Sequence, residues 1–228
     1  VQNSMKPIVI TGSQRPLASV DSDARSNLLN AIVFACDEHA HGVHILFDNK
    51  VILGTRARKT HTKSFNAFKS IDFPEIAIVR DRRVRYYIEE KVSEDGPDFY
   101  TSLDPKVFVL RLVPGMNPDI FSFLKEHYDG LVIESFGVGG IPCYDNESFV
   151  DAVADWIACG KALVMTTQVP HEGSDMSVYM VGQVIKKKYR LIEAYDMTTE
   201  AIVAKLMWIL AQTKKPAEVR EMFYRPVQ

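Results

Sequence analysis

The feature that most constrains the fold is the alternation of short, β-branched apolar runs with helical patterns. The first run, Lys6–Thr11, ends at Gly12 and leads through a polar loop into a helical pattern near Asn27–His39. Further apolar runs follow at Gly42–Phe47 and from Val51. Strands that alternate with helices predict an α/β layer with a parallel sheet.

The first helical pattern has an apolar face that predicts how the helix packs. Leu28, Ile32 and Ala35 recur at helical spacing, so we expect this face to lie against the sheet. Farther along, residues 75–89 indicate two strands around a charged tip.

The same alternation restarts in the second half of the chain. Residues 96–105 are rich in Gly, Pro, Asp and Ser and predict a linker between domains at 1–95 and 106–228. The later strands are predicted at Val107–Leu112, Gly130–Glu134 and Ala162–Thr167, and the later helices are predicted to begin near Asn117-Pro118, Glu147, Thr198 and Pro216. We therefore expect a partial parallel-sheet, Rossmann-like amino-terminal domain and a compact flavodoxin-like carboxy-terminal domain.

Composition narrows the classes of function. The chain has 228 residues, a net charge of −2 and no apolar stretch near the ~20 residues that span a bilayer. This balance favours small molecules and protein partners over nucleic acid or membrane. The cysteines, Cys36, Cys143 and Cys159, have unrelated spacings and indicate neither disulfides nor a metal knuckle. With no basic-then-apolar leader at the start, a reducing cytoplasm is the expected location.

The loop T-G-S-Q-R-P follows the first predicted strand, at the edge where open α/β sheets bind ligands. Gly12 permits close approach of the backbone to a ligand, and Ser13 and Gln14 offer hydrogen bonds. The structural alternative is an ordinary strand-to-helix turn.

Residues 54–62, G-T-R-A-R-K-T-H-T, concentrate three cations among hydroxyls. A lysine amine accepts a proton only when a nearby cation or desolvation favours its neutral form, and Arg56 and Arg58 flank Lys59. Beside an aspartate and a threonine or serine, such a lysine relays a proton from a nucleophilic hydroxyl. The alternative is a basic surface loop.

Three further patterns favour structural interpretations. Residues 135–142, S-F-G-V-G-G-I-P, lack the G-x-G-x-x-G spacing and indicate a turn. The arginine run at 80–85 indicates an exposed hairpin tip more than a nucleic-acid site, because the chain is slightly acidic. His39, His41 and His44 lack the spacing of a zinc site, so we expect surface histidines and no metal.

Six segments occur in an order that one family shares: K-P-I-V-I-T-G-S-Q-R-P-L, S-D-A-R-S-N-L-L-N-A-I, I-L-F-D-N-K-V-I-L-G-T-R-A-R-K-T-H-T, S-F-N-A-F, E-S-F-G-V-G-G-I-P and E-A-Y-D-M-T-T-E-A-I-V-A-K-L. Through them the whole chain resembles the bacterial type I (cytoplasmic) L-asparaginases. The resemblance implies hydrolysis of L-asparagine to L-aspartate and ammonia through a threonine-linked acyl intermediate. It also implies a homodimer or tetramer and no metal or organic cofactor.

The resemblance assigns roles to individual residues. Lys59 matches the catalytic lysine that works with a Thr-Asp pair, and Ser13, with Gln14 beside it, matches the substrate-side loop. Gly140 stands where many relatives have an asparagine that reaches across the dimer. Glu134 stands where some members have an arginine of a second, regulatory asparagine site, which Thr167 and Gln168 would also line. A carboxylate at that position would repel the carboxylate of the ligand.

Two family motifs do not occur in these 228 residues: T-G-G-T, which holds the nucleophilic threonine, and H-G-T-D, which holds the Thr-Asp pair. The expectation is therefore an amino-terminally truncated fragment that is inactive by itself. Two alternatives stay open. One is a non-catalytic dimerisation or scaffold fragment, and the other is the asparaginase-like subunit of a tRNA-dependent amidotransferase.

Overall fold

The computed structural model describes residues 1–89, 92, 94–142, 148–178, 186, 189 and 191–227. Cys143 and Glu147, the latter being the expected start of a helix, lie outside the described residues. The chain forms two units, Val1–Tyr100 with the last residues of the chain, and Thr101–Arg225. No described helix is long and apolar enough to cross a membrane.

The amino-terminal unit contains seven of the described strands and one helix. These are β1 (Pro7–Ile10), α1 (Ala24–Ala35), β2 (Gly42–Phe47), β3 (Lys50–Leu53), β4 (Ala57–Lys59), β5 (Phe68–Ser70), β6 (Ala77–Arg80) and β7 (Arg83–Tyr86). Five strands form a sheet in the order β1-β2-β3-β6-β7, while β4 and β5 form a separate antiparallel pair.

The direction of this sheet differs from the parallel arrangement expected. Only β1 and β2 are parallel, and the other three pairings of the five-stranded sheet are antiparallel. Tight turns account for two of these three antiparallel pairings, β2 with β3 and β6 with β7. Asp48-Asn49 and Asp81-Arg82 all have positive φ, the conformation that turns a strand directly into an antiparallel hairpin. The expected pair of strands around a charged tip at 75–89 is confirmed.

Helix α1 packs on the sheet through a different face from the one expected. Asn27, Ala31 and Phe34 are buried, whereas Leu28 and Ile32 are each 52% exposed. Asn27 takes an inner position because its side chain bonds to main-chain atoms of the neighbouring loops.

The expectation of surface histidines was also wrong for His44, which is buried edge-on against Phe34 with ring centroids 5.3 Å apart.

The carboxy-terminal unit alternates strands and helices. Its elements are β8 (Val107–Arg111), α2 (Ile120–His127), β9 (Gly130–Ser135), α3 (Ser148–Ala158), β10 (Ala162–Thr167), β11 (Ile192–Glu193), α4 (Thr199–Gln212) and α5 (Pro216–Tyr224). The sheet is parallel throughout, in the order β11-β10-β9-β8. The predicted α/β class is confirmed.

Both faces of this sheet are covered by helices. Every residue of β9 and β10 is buried, and alternate residues of β9 face opposite layers, so that Leu131 packs with Trp156 of α3 while Val132 packs with Leu206 of α4. Because the strands are parallel, all of their carboxyl ends lie at the same edge of the sheet.

In the described part of the carboxy-terminal unit, two of the three expected helix starts are confirmed. Thr198 caps α4 by accepting a hydrogen bond from the Ala201 N–H at 3.2 Å, and Pro216 is the first residue of α5. Asn117 does not cap α2. Its side chain accepts from the Asp119 N–H at 2.9 Å, which forms a turn before the helix begins at Ile120.

Candidate functional site

The substrate-side loop begins where β1 ends. Thr11 closes the strand by donating its hydroxyl to the Leu46 carbonyl at 2.8 Å. Gly12 and Ser13 follow and are exposed, so the hydroxyl of Ser13 lies at the surface of the amino-terminal unit. This placement leaves Ser13 accessible to a small molecule.

Lys59 lies at the end of β4, in register with Phe68 of β5. Its ammonium group is exposed, 5.9 Å from the centroid of the Phe68 ring, and donates a hydrogen bond to Gln14 Oε1 at 3.2 Å. The structure thus brings two of the predicted site residues, Gln14 and Lys59, into direct contact across 45 positions of sequence. Ser13 is the chain neighbour of Gln14.

A hydroxyl and an imidazole lie next to the lysine. Thr60 Oγ1 and His61 Nδ1 are 2.9 Å apart. Whether the hydroxyl donates or accepts depends on the imidazole tautomer, since a neutral ring has one donor and one acceptor nitrogen. The last residue of β4 and the two residues after it therefore present an amine, a hydroxyl and an imidazole in succession.

Sequence reasoning missed two buried polar residues that contact the loop at residues 12–15. They are Asp23 and Asn27, which are 7% and 2% exposed. Burial alone would raise the pKa of Asp23. Hydrogen bonds from the N–H groups of Gln14 and Arg15 and from Asn27 outweigh burial and hold the pKa below its ordinary value of 3.8. Asp23 is therefore ionised at neutral pH. The available signal was the i, i+4 spacing of an acid and an amide at the start of a helix.

In the carboxy-terminal unit, the predicted pocket residues meet at the carboxyl edge of the sheet. Glu134 is 6% exposed, and its carboxylate accepts from the Thr199 hydroxyl at 2.7 Å. The other carboxylate oxygen lies 3.9 Å from Nη1 of Arg111, a residue that sequence reasoning missed. An arginine at the end of β8 thus supplies a positive charge beside Glu134.

Thr167 and Gln168 bind the strand ends together. Gln168 donates to the carbonyls of Leu112 at 2.7 Å and Glu134 at 3.0 Å, and accepts from Arg111 Nε at 3.3 Å. The Thr167 hydroxyl donates to the Gly137 carbonyl at 2.5 Å. The side chains of Thr167 and Gln168 thus form hydrogen bonds with other parts of the protein, and these bonds connect the ends of β8, β9 and β10.

Gly140 closes a tight loop with Phe136. The Gly140 N–H donates to the Phe136 carbonyl at 2.7 Å, and the Phe136 N–H donates back at 2.9 Å. A Cβ at Gly140 would lie 3.3 Å from the Phe136 carbonyl oxygen, so a larger side chain fits after a small shift. The predicted turn at residues 135–142 is present.

The remaining patterns do not join either site. The arginines of the β6–β7 hairpin at positions 80, 82, 83 and 85 are exposed, as predicted for a hairpin tip. Among the described residues, no three His, Cys, Asp or Glu side chains come together in a way that could hold a metal ion.

Comparison with known proteins shows that each of the two units matches a known protein family. Residues 1–92 match the family described as Asparaginase, N-terminal, and residues 106–223 match the Glutaminase/Asparaginase C-terminal domain. The L-asparaginase of Thermococcus kodakarensis is 37% identical over 227 residues, which cover all of this chain and 68% of that protein. One subunit of the glutamyl-tRNA(Gln) amidotransferase of Thermofilum pendens is 33% identical, over 98% of this chain and 51% of the relative.

The fold is shared as well. The solved structure of the thermostable L-asparaginase from Thermococcus kodakarensis superposes with a TM-score of 0.93, covering 99% of this chain and 67% of that one. The chain thus spans about half to two thirds of the relatives it matches.

Proposed function

The chain belongs to the asparaginase family, and on that basis we propose that it carries part of an L-asparaginase active site. The observation that carries the proposal is the contact of Lys59, at the end of β4, with Gln14, in the loop after β1; both residues lie in segments that the family shares. Lys59 relays a proton and Ser13 contacts the substrate. No metal or organic cofactor takes part.

The reaction needs groups beyond these residues. A lysine alone does not form an acyl-enzyme, and removing a nucleophile removes most of the rate acceleration. T-G-G-T and H-G-T-D are absent from the 228 residues. We therefore assign residues 1–95 to part of the catalytic domain and 106–228 to the second domain. The 228-residue chain alone does not hydrolyse asparagine.

The finer assignments extend the same proposal. The chain is a bacterial type I-like, cytoplasmic enzyme that works as a homodimer or tetramer. Glycine at position 140 removes the asparagine that reaches a neighbouring protomer. The buried Glu134 carboxylate disfavours a second asparagine, because two carboxylates repel each other in a site of low dielectric constant.

Ammonia release tests the proposal. The purified 228-residue chain is expected to release no more ammonia from L-asparagine than buffer does. A fusion that adds the part of the Thermococcus kodakarensis relative preceding its aligned residues is expected to release it at an enzymatic rate. Turnover by the 228-residue chain itself, or a folded but inactive fusion, would contradict the proposal.

One observation favours a second candidate, a component of a tRNA-dependent amidotransferase: the 33% identity to the glutamyl-tRNA(Gln) amidotransferase chain of Thermofilum pendens. The fusion distinguishes the two, because an asparaginase releases ammonia from free asparagine without a partner protein. Ammonia release that requires a partner would favour the amidotransferase.

The remaining alternative is a scaffold fragment that only self-associates. The 228-residue chain would then form a dimer by analytical ultracentrifugation, while the fusion would release no ammonia. Turnover by the fusion removes this alternative.

A further inference from the structure

The carboxylate of Asp23 forms hydrogen bonds with the loop at residues 12–15 and does not cap the helix that Asp23 precedes. Asp23 is the N-cap of α1, yet its side chain makes no capping hydrogen bond to the helix. Its oxygens accept from the N–H of Gln14 at 3.0 Å and from the N–H of Arg15 at 3.1 Å. The capping bond comes from Ser22, whose Oγ accepts from the Ala24 N–H at 3.1 Å.

Asn27, one turn into the helix, fixes the other end of the same loop. Its Nδ2 donates to the Gly12 carbonyl at 2.9 Å and to Asp23 Oδ2 at 3.1 Å, and its Oδ1 accepts from the Asp48 N–H at 3.1 Å. Both residues are buried, so each lost bond would leave a polar group without solvent to replace it. Residues 12–15 are thereby held at both ends by the first turn of α1.

The side chain of Gln14 connects the loop at residues 12–15 to Lys59 and to the loop after it. Gln14 Nε2 donates to the carbonyls of Ser64 at 3.0 Å and His61 at 3.3 Å, which uses both of its N–H groups. Gln14 Oε1 accepts from Lys59 Nζ at 3.2 Å. The amide that the sequence assigned to substrate binding is committed to the chain's own lysine and to the loop beyond it.

We propose that Asp23 and Gln14 are positioning residues for Lys59, with Asp23 acting through the Gln14 main chain. The proposal rests on the proposed function, since positioning matters only where Lys59 carries out a reaction. It assigns a purpose to the buried carboxylate of Asp23 and gives Gln14 a role in orienting the lysine. A lysine side chain is a flexible four-carbon stem, so a fixed acceptor is what selects one orientation.

The test measures the lysine directly in the 228-residue chain. Limited acetylation with acetic anhydride, quantified by peptide mass spectrometry, gives the reaction rate of Lys59 relative to that of exposed Lys63. We expect Asp23→Asn and Gln14→Met each to raise this ratio about three- to tenfold, the range for loss of one hydrogen bond. The double variant is expected to equal Gln14→Met alone, because the two act in series.

Asp37→Asn is the matched control. Asp37 follows the same helix and accepts hydrogen bonds from the Tyr86 hydroxyl at 2.9 Å and the His39 N–H at 3.1 Å, away from residues 12–15. It is expected to leave the Lys59 ratio unchanged.

Unchanged Lys59 reactivity in folded Asp23→Asn, or additive effects in the double variant, would overturn the proposal. If Asp23→Asn fails to fold, Gln14→Met decides, since it removes only the side-chain amide; an unchanged ratio there overturns the proposal equally. None of these readouts depends on asparagine turnover, so failure here is distinct from failure of the proposed activity.

Discussion

Single residues in this molecule gain their roles from main-chain contacts. Asp23, Asn27 and Gln14 bond chiefly to N–H and C=O groups of loops, and so fix backbone positions that their own elements do not reach. In the carboxy-terminal unit, Gln168 does the same for two neighbouring strand ends. Side-chain amides and carboxylates suit this purpose, because each offers several donors or acceptors in a fixed plane.

Gly173 is the position where one added carbon is expected to be most disruptive. Its φ is +69°, and a Cβ would lie 2.7 Å from the Tyr195 carbonyl oxygen. We expect Gly173→Ala to lower the free energy of unfolding by about 2–4 kcal/mol, through the left-handed backbone and the clash together. Urea denaturation measures the change.

Gly115 provides the control for this prediction. Its φ is +77°, and a Cβ there would meet nothing within 4 Å. Gly115→Ala is expected to cost only about 1–2 kcal/mol, the backbone contribution alone. Equal losses for the two variants would show that the contact with Tyr195 is relieved without cost.

The sequence placed Gln14 and Lys59 in one predicted site, and the structure shows them in contact, but their other contacts were not predicted. Gln14 and Lys59 were predicted together because both lie in segments shared with one family. The partners of Gln14 were not predictable, since His61 and Ser64 lie 47 and 50 residues away along the chain. Arg111 was missed because a lone arginine after a strand has no distinguishing pattern.

At the scale of elements, the strands of the carboxy-terminal sheet are tied together at their amino ends by charges. Asp129, just before β9, accepts from Lys214 Nζ at 2.6 Å and lies 3.4 Å from Lys161 Nζ. The hydrogen bond from Lys214 is the main cause that lowers the pKa of Asp129 below 3.8. The network joins the starts of β9 and β10 to the segment between α4 and α5.

This network predicts a pH dependence of stability. Because the folded pKa of Asp129 is depressed, its contribution is fully present above about pH 4 and is lost as the pH falls through the folded pKa. Asp129→Asn is expected to lower the free energy of unfolding by about 1 kcal/mol at pH 7 and to flatten the acid limb of the stability curve.

Asp155→Asn is the control. Asp155 pairs with Lys125 at the surface, with 63% of its side chain exposed, so we expect a change below about 0.5 kcal/mol. An Asp129→Asn variant with an unchanged acid limb would contradict the assignment.

Element bounds were largely predictable from sequence, whereas the direction of the amino-terminal sheet and the orientation of α1 were not. Ala162–Thr167 was predicted at both ends because its apolar run is continuous and Gly160 precedes it. The antiparallel pairing of β2 with β3 depends on Asp48 and Asn49 in a left-handed turn, and D-N is a weaker signal than Asn-Gly. The buried face of α1 was predicted wrongly because the prediction used only the spacing of apolar residues. It could not anticipate that Asn27 is buried and forms hydrogen bonds with main-chain groups.

The whole molecule consists of two units whose sheets differ in how much apolar surface they bury. The carboxy-terminal sheet is covered on both faces, whereas β1 pairs with only one strand among the described residues and leaves Ile8 and Ile10 37% and 52% exposed. Exposed apolar side chains on an edge strand favour association with another chain. Leu28 and Ile32 of α1 add to the exposed apolar surface of this unit.

We therefore expect the amino-terminal unit to open first. Amide hydrogen exchange in the 228-residue chain should give lower opening free energies for β1, β2 and α1 than for β9 and β10, because stability follows buried apolar area. Equal protection of both sheets would contradict this ordering.

The most direct test of the proposed active site is the effect of Lys59→Met on ammonia release by the fusion with the Thermococcus kodakarensis segment. The lysine is expected to contribute as a proton relay, so kcat should fall by about 10²–10⁴-fold with the fold intact. Lys63→Met, which removes an exposed lysine a few positions farther along the chain, should leave kcat unchanged. Equal activity of Lys59→Met and Lys63→Met would contradict the claim that Lys59 belongs to the active site.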